Sequence, residues 1–176
     1  MLKGKKIVVA ITGCSPAIKA LDIIAELKKL NADVHVVMTK NSTNFLTPLM
    51  VQRSIKHPVQ IDAFELPKTW DENHESLSKN TDLLLIAPAS ANILGKAANG
   101  IADDLLSVTI MSFRGPKLIA THINDMMYNS PSVKRNVKTL IGDGFVFVNN
   151  ENNEHPSIFP SKEQIINMVF KVLEGK

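Results

Sequence analysis

Short all-apolar runs recur along this chain, each followed by apolar residues at helical spacing, and that alternation admits few folds. Ile7 to Ile11 is apolar at every position, as a parallel strand buried on both faces requires. Ala17, Ala20, Leu21, Ile24 and Leu27 then form a helical stripe. Lys28 and Lys29 suit the negative end of that helix, and Asn31 suits a left-handed cap. Val34 to Met38, Leu83 to Ala87, Lys117 to Ala120 and Phe145 to Val148 read as further strands. Ser130 and Pro131 start a helix carrying Val133, Val137, Leu140 and Ile141. Ser161 with Gln164 forms a capping box for the last helix, whose stripe is Ile165, Ile166, Val169, Val172 and Leu173. The stretch from Pro48 to Asn80 is less periodic. It reads as one short helix, an edge strand and a loop carrying Pro67, Trp70 and His74. Repeated strand–helix–strand units with right-handed crossovers predict an α/β fold, a three-layer open parallel sheet with helices on both faces. No linker or repeat divides the chain, so residues 1–176 read as one domain.

Composition narrows the function. With 44% apolar and 21% charged residues the chain is neither disordered nor collagen-like. A single cysteine excludes an internal disulfide and any all-cysteine zinc or iron–sulfur cage, and the sequence reading assigns no metal. The net charge is +3, but the lysines are scattered and no basic stripe is interleaved with aromatics. Nucleic acid is therefore not an expected partner, and a small anionic ligand is. No apolar run approaches about 18 residues, and Met1 to Lys6 lacks a signal-peptide core. The expectation is a cytoplasmic protein without a membrane partner.

Open parallel sheets bind ligands at the carboxyl ends of their strands. After the first strand comes Thr12-Gly13-Cys14-Ser15-Pro16. Gly13 permits close backbone approach, Ser15 suits a helix N-cap and Pro16 the first helical position. This is either a phosphate site or a plain strand-to-helix turn. There is no G-x-G-x-x-G, and the second strand ends in Met38-Thr39-Lys40, with no acid to hold an adenosine ribose. A mononucleotide fits better than a dinucleotide. Beyond Thr39, Phe45 is placed to pack on a flat ring, while Ser42 or Thr43 is equally well placed to cap a helix. Cys14 reads as a small core filler rather than a nucleophile. The run Pro88-Ala89-Ser90-Ala91-Asn92-Ile93 puts small side chains and hydrogen-bonding groups at another strand tip. A capped helix ending at Asn99-Gly100 and a second starting at Asp103 explain Gly100, but not that clustering.

The segment from Pro88 to Asn92, continued by Gly95-Lys96-Ala97-Ala98-Asn99-Gly100-Ile101-Ala102-Asp103-Asp104-Leu105-Leu106, resembles the signature of the homo-oligomeric flavin-containing cysteine decarboxylases. Asn73-His74, eight residues before Asp82, is similar to that family's histidine. Thr121-His122-Ile123-Asn124-Asp125-Met126-Met127-Tyr128 is similar to its asparagine motif, with Thr121 and His122 in place of a proline and a small residue. The resemblance runs from Lys5 to about Val148 and is nearest to the epidermin-type peptidyl-cysteine branch of lantibiotic biosynthesis.

The resemblance implies a Rossmann-like, flavodoxin-like fold with FMN as cofactor. It places Gly13 and Ser15 beside the flavin, Thr39 near its phosphate, and Phe45, Pro88, Ala89, Ser90, Ala91, Asn92, Ile93 and His122 around its ring and ribityl chain. It implies His74 as catalytic base, Asn124 as the group that holds the substrate carboxylate, and Met127 as a substrate neighbour. Trimers, or four trimers, with FMN between subunits are implied as well. The implied reaction is flavin-dependent oxidation of a peptide's C-terminal cysteine, after which carbon dioxide leaves and an enethiol forms. The alternatives are phosphopantothenoylcysteine decarboxylation in coenzyme A synthesis and a non-catalytic flavin-binding regulatory subunit. A flavin prenyltransferase shares the fold but not these segments. Residues 149–160 form a short polar stretch where the family carries a substrate clamp, and they hold no cysteine. The phosphopantothenoylcysteine enzymes use such a cysteine to reduce their product, so its absence favours a peptide substrate.

Overall fold

Runs without a polar interruption are stable only where both faces are covered, and the structure puts them in the middle layer. The computed structural model describes residues 1–62, 77–151 and 157–175. Its elements are β1 (Lys6–Ile11), a 3-10 turn (Ser15–Lys19), α1 (Ala20–Lys29), β2 (Asp33–Met38), a second 3-10 turn (Lys40–Asn44) and α2 (Pro48–Ile55). Then follow β3 (Leu83–Ala89), α3 (Ala91–Ala98), α4 (Leu105–Ser112), β4 (Lys117–Thr121), α5 (Asp125–Tyr128) and α6 (Pro131–Gly142). The chain continues through β5 (Val146–Phe147), α7 (Val148–Glu151) and α8 (Lys162–Glu174). All five strands pair in parallel, in the order β2-β1-β3-β4-β5, which is the flavodoxin-like doubly wound order. The α/β architecture is the one expected.

Alternation along each strand sorts side chains into two cores. Ile7, Val9 and Ile11 join Leu83, Leu85 and Ala87 on one face, beneath Ile24 and Leu27 of α1, Val51 and Ile55 of α2, and Ile165 and Val169 of α8. Val8, Ala10, Leu84 and Ile86 face the other way, beneath Ile93 and Leu94 of α3, Ile110 of α4, and Val137 and Leu140 of α6. Each fully buried leucine or isoleucine here contributes roughly 1.5–3 kcal/mol relative to an exposed one. Lys28 ties two neighbouring elements together, its Nζ donating to the carbonyls of Ser54 (2.8 Å) and Ile55 (2.9 Å) at the end of α2.

Several boundaries differ from expectation. β3 runs on to Ala89, because Pro88 and Ala89 are buried and, past a register shift, Ala89 still pairs with Thr121 of β4. The fifth strand is only Val146–Phe147, and Val148 already opens a helical turn. Among the described residues the expected edge strand after α2 is reduced to one bridge, Val37 with Gln60. In α1 the buried face uses Ile23 with Ile24, and Leu21 is only partly buried. Ile141 stands 46% exposed at the end of α6. Neither Ser42 nor Thr43 caps α2. Their hydroxyls donate to the carbonyls of Thr39 and Lys40, at the start of the second 3-10 turn, and Thr47 caps α2 by accepting from Met50 N. Asp104, not Asp103, caps α4. Asn31 and Gly100 do take positive φ, 65° and 66°. No helix among the described residues is long and apolar enough to cross a membrane.

Candidate functional site

The strand order reverses between β1 and β3, so the loops leaving their carboxyl ends diverge to opposite faces and open a cleft of about 520 Å³. Thr12, 1% exposed, holds the two strand tips in register. Its backbone N–H (3.3 Å) and its hydroxyl (2.7 Å) both donate to Pro88 O, and its Oγ1 accepts from Ser90 N (3.0 Å). Sequence reasoning passed over this residue. The signal was a hydroxyl ending an all-apolar strand, since a buried hydroxyl needs partners.

Gly13 forms the floor of the cleft with Asn41, which leaves β2. A β-carbon on Gly13 would lie 2.8 Å from Asn41 Cβ and 3.1 Å from its carbonyl carbon. Glycine is required here by space, because its φ is not in the left-handed region. Thr39 also lines the cleft, and its Oγ1 is shielded from water with no hydrogen-bond partner among the described residues. An orphaned buried hydroxyl beside a cradle that admits no side chain fits an oxygen-rich ligand in close contact with backbone.

The opposite lip is the start of α3. Ser90 caps it, accepting from Ile93 N at 3.4 Å, and Ala91, Asn92 and Ile93 line the cleft in the first turn. Their N–H groups form the positive end of the helix, suited to an anion. Two lysines line the cleft, Lys40 beside Asn41 and Lys96 on α3, and the second of them is already engaged. Lys96 Nζ lies 2.6 Å from Asp103 Oδ1 and 2.5 Å from Asp104 Oδ2, and these bonds raise its pKa. Burial pushes Asp104 up, but the hydrogen bonds from Lys96 and from the Ser107 N–H and hydroxyl outweigh it and hold the carboxyl below the ordinary range. Lys96 therefore fixes α3 to the cap of α4 and is not a free cation for a phosphate.

Only some of the expected site residues line the cleft. Gly13, Thr39, Ser90, Ala91, Asn92, Ile93 and Met127 line the cleft. Pro88 and Ala89 lie behind it as buried strand residues, and Phe45 stands 51% exposed outside its lining. Ser15 is not the N-cap: the residue in the cap position is Cys14, without a side-chain bond. Ser15 Oγ instead lies 3.2 Å from His122 Nε2, joining the loops after β1 and β4, while His122 Nδ1 is buried and has no partner among the described residues. Asn124 caps α5, its Oδ1 accepting from Met126 N at 2.9 Å. His74 lies outside the described residues. Cys14 is 7% exposed, and burial pushes its thiol pKa up, opposite to what a nucleophile needs.

A further residue that sequence reasoning missed is Asn149, which is 1% exposed. Its Oδ1 accepts from Thr121 N (3.0 Å) and Thr121 Oγ1 (2.9 Å), and its Nδ2 donates to Ile158 O (2.8 Å). It anchors the end of β4, from which His122 and Asn124 project.

Thr39 supplies a direct test of ligand fit. Thr39→Val keeps the shape and removes the orphaned hydroxyl. Affinity for a cleft ligand should fall about tenfold, the worth of one good hydrogen bond, while thermal stability is unchanged or slightly higher. Fluorescence titration and a melting curve read the two effects separately.

A family model described as Flavoprotein matches residues 1–174. The chain is 36% identical over 148 residues to the Coenzyme A biosynthesis bifunctional protein CoaBC of Bacillus subtilis, covering 84% of this chain but only 36% of that protein. The chain thus spans about a third of the length of that relative. It is also 36% identical over 143 residues to a Streptococcus mutans protein named "Probable phosphopantothenoylcysteine decarboxylase", covering 80% of each. Among solved structures, the FMN-dependent cysteine decarboxylase SpaF superposes with a TM-score of 0.86 at 28% identity, over 99% of this chain and 98% of that one.

Proposed function

The chain belongs to the flavoprotein family, with FMN as its cofactor, and from that premise we propose that it decarboxylates the C-terminal cysteine of a peptide. Gly13 and Thr39 would hold the flavin with the first turn of α3, and Ser15 and His122 would border it. When bound, FMN supplies a two-electron acceptor for oxidising the cysteine thiol, which labilises the neighbouring carboxylate. Asn124 orients that carboxylate. Its Oδ1 is occupied by the α5 backbone, so the amide presents its Nδ2 protons outward. His74 would take the proton released in the oxidation, since an imidazole titrates near working pH. Phe45, Leu49 and Met50 leave an exposed apolar edge at the start of α2. A second copy would cover it in a trimer, or in an assembly of four trimers.

The observation that favours a peptide over phosphopantothenoylcysteine is the cysteine count. The one thiol, Cys14, is buried in the first loop, and residues 149–160 offer none to reduce a product. The second reading rests on the relatives, whose names point to coenzyme A synthesis. One experiment separates them. FMN-loaded protein is incubated with cysteine-terminated peptides and, separately, with phosphopantothenoylcysteine, and the products are weighed by mass spectrometry. A peptide lighter by carbon dioxide and two hydrogens supports the proposal. Unchanged peptides together with turnover of the small substrate would transfer the chain to the coenzyme A reading. In either enzyme His74→Asn should lose turnover and keep its flavin, whereas a purely flavin-binding subunit would show no turnover to lose.

A further inference from the structure

At the far end of β2 from the cleft, three side chains with metal-ligating chemistry converge. Asp33 opens the strand, and His35, two residues on, projects from the same face. His57 arrives from the loop after α2, where Lys56 takes a left-handed conformation (φ 62°) that turns the chain back toward the strand. Asp33 Oδ2 lies 3.1 Å from His35 Nε2, and Asp33 Oδ1 lies 3.5 Å from His57 Nε2. The two imidazoles stack with centroids 4.7 Å apart and planes 20° apart. One ligand atom from each residue can be chosen so that no pair is more than 4.8 Å apart.

We propose that Asp33, His35 and His57 form a binding site for a borderline divalent transition cation, of which zinc is the type. Metal–ligand bonds of about 2.0–2.1 Å at tetrahedral angles place ligand atoms about 3.3 Å apart. The two nitrogen–oxygen separations, 3.1 Å to Oδ2 and 3.5 Å to Oδ1, are each near that spacing but use different oxygens, so the half-exposed Asp33 carboxylate must turn to bring one oxygen to both imidazoles. The remaining closure falls to His57, which is 45% exposed on its loop. Two imidazoles and a carboxylate select zinc, nickel or copper over magnesium or calcium, which take oxygen ligands. Three protein ligands leave a position for water. At about 3.3 Å per residue, the six residues from Asp33 to Thr39 put this site about 20 Å from the cleft. It is therefore independent of the flavin chemistry. Its effect is to clip the loop after α2 to β2, the edge strand of the sheet.

The test uses the FMN-loaded protein, freed of metal with a chelator and dialysed. Titration with zinc chloride should show one saturable equivalent per chain, and saturating zinc should raise the melting temperature by roughly 5–10 °C. Magnesium should do neither. His57→Ala, at an exposed position, and Asp33→Asn should each weaken zinc binding at least tenfold while the bound flavin's absorption spectrum stays unchanged. Absence of saturable zinc uptake, an equal response to magnesium, or uptake that survives both substitutions would overturn the proposal.

Discussion

Gly13→Ala should yield a colourless protein. The added methyl carbon lies 2.8 Å from Asn41 Cβ, and 3.1 and 3.2 Å from the Asn41 carbonyl carbon and oxygen. Two of those three neighbours are backbone, so no side-chain rotation relieves the contact. The loops after β1 and β2 must part, and with them Thr39 and the floor of the cleft. Overpacking of this kind costs about 1–3 kcal/mol, and the part that falls on the ligand-binding loops appears as lost affinity. A loss of FMN affinity of about 100-fold corresponds to about 2.7 kcal/mol and is the expected scale. Absorption of the purified protein and FMN titration measure it, and circular dichroism verifies that the sheet persists. Asn41→Gly in the same chain removes the nearest of the three contacts and should restore part of the binding. Undiminished affinity in Gly13→Ala would mean that FMN does not sit on this floor.

The second large effect is expected at Asn124. Asn124→Asp keeps the acceptor that caps α5, and aspartate caps a helix as well as asparagine does. On the role proposed for Asn124, it loses the outward pair of amide protons and gains a negative charge where the substrate carboxylate would bind. A hydrogen bond to a charged group is worth about 1.5–3 kcal/mol, and the added repulsion takes kcat/KM down by roughly 100- to 1,000-fold. Flavin affinity and melting temperature should stay at the wild-type values. Asn124→Ala gives the contrast, losing the cap as well and about 1 kcal/mol of stability. Steady-state kinetics beside a flavin titration separates the two substitutions. An Asn124→Asp protein with full kcat/KM would remove Asn124 from substrate binding.

How much was legible depended on how local each feature is. The strands β1 and β2 and the helix ends at Asn99-Gly100, Ser130-Pro131 and Ser161-Gln164 all stand where the sequence places them. Each follows from a few consecutive residues: an apolar run, a capping side chain, a glycine free to take positive φ. The cluster of small residues from Pro88 to Asn92 also marked a strand tip correctly. Ser15 was misread because its local chemistry suits a cap, whereas its partner, His122, lies 107 residues away. Phe45 suited a flat ring by type, but the 3-10 turn before it leaves the side chain outside the cleft.

The sequence by itself determined the layered α/β architecture, because a chain of all-apolar runs and amphipathic stripes has no other way to cover both. It also marked the ends of β1, β2 and β3, whose small and hydroxyl residues line the cleft. Only the tertiary structure decided which of those ends meet. Strand order brings Gly13 against Asn41, Thr12 against Pro88 and Ser90, and Asn149 against Thr121. It also brings His57 back to Asp33 and His35. Local periodicity is set by the geometry of one short stretch of backbone. These contacts depend on how distant stretches pack across the sheet, and no single stretch carries that information.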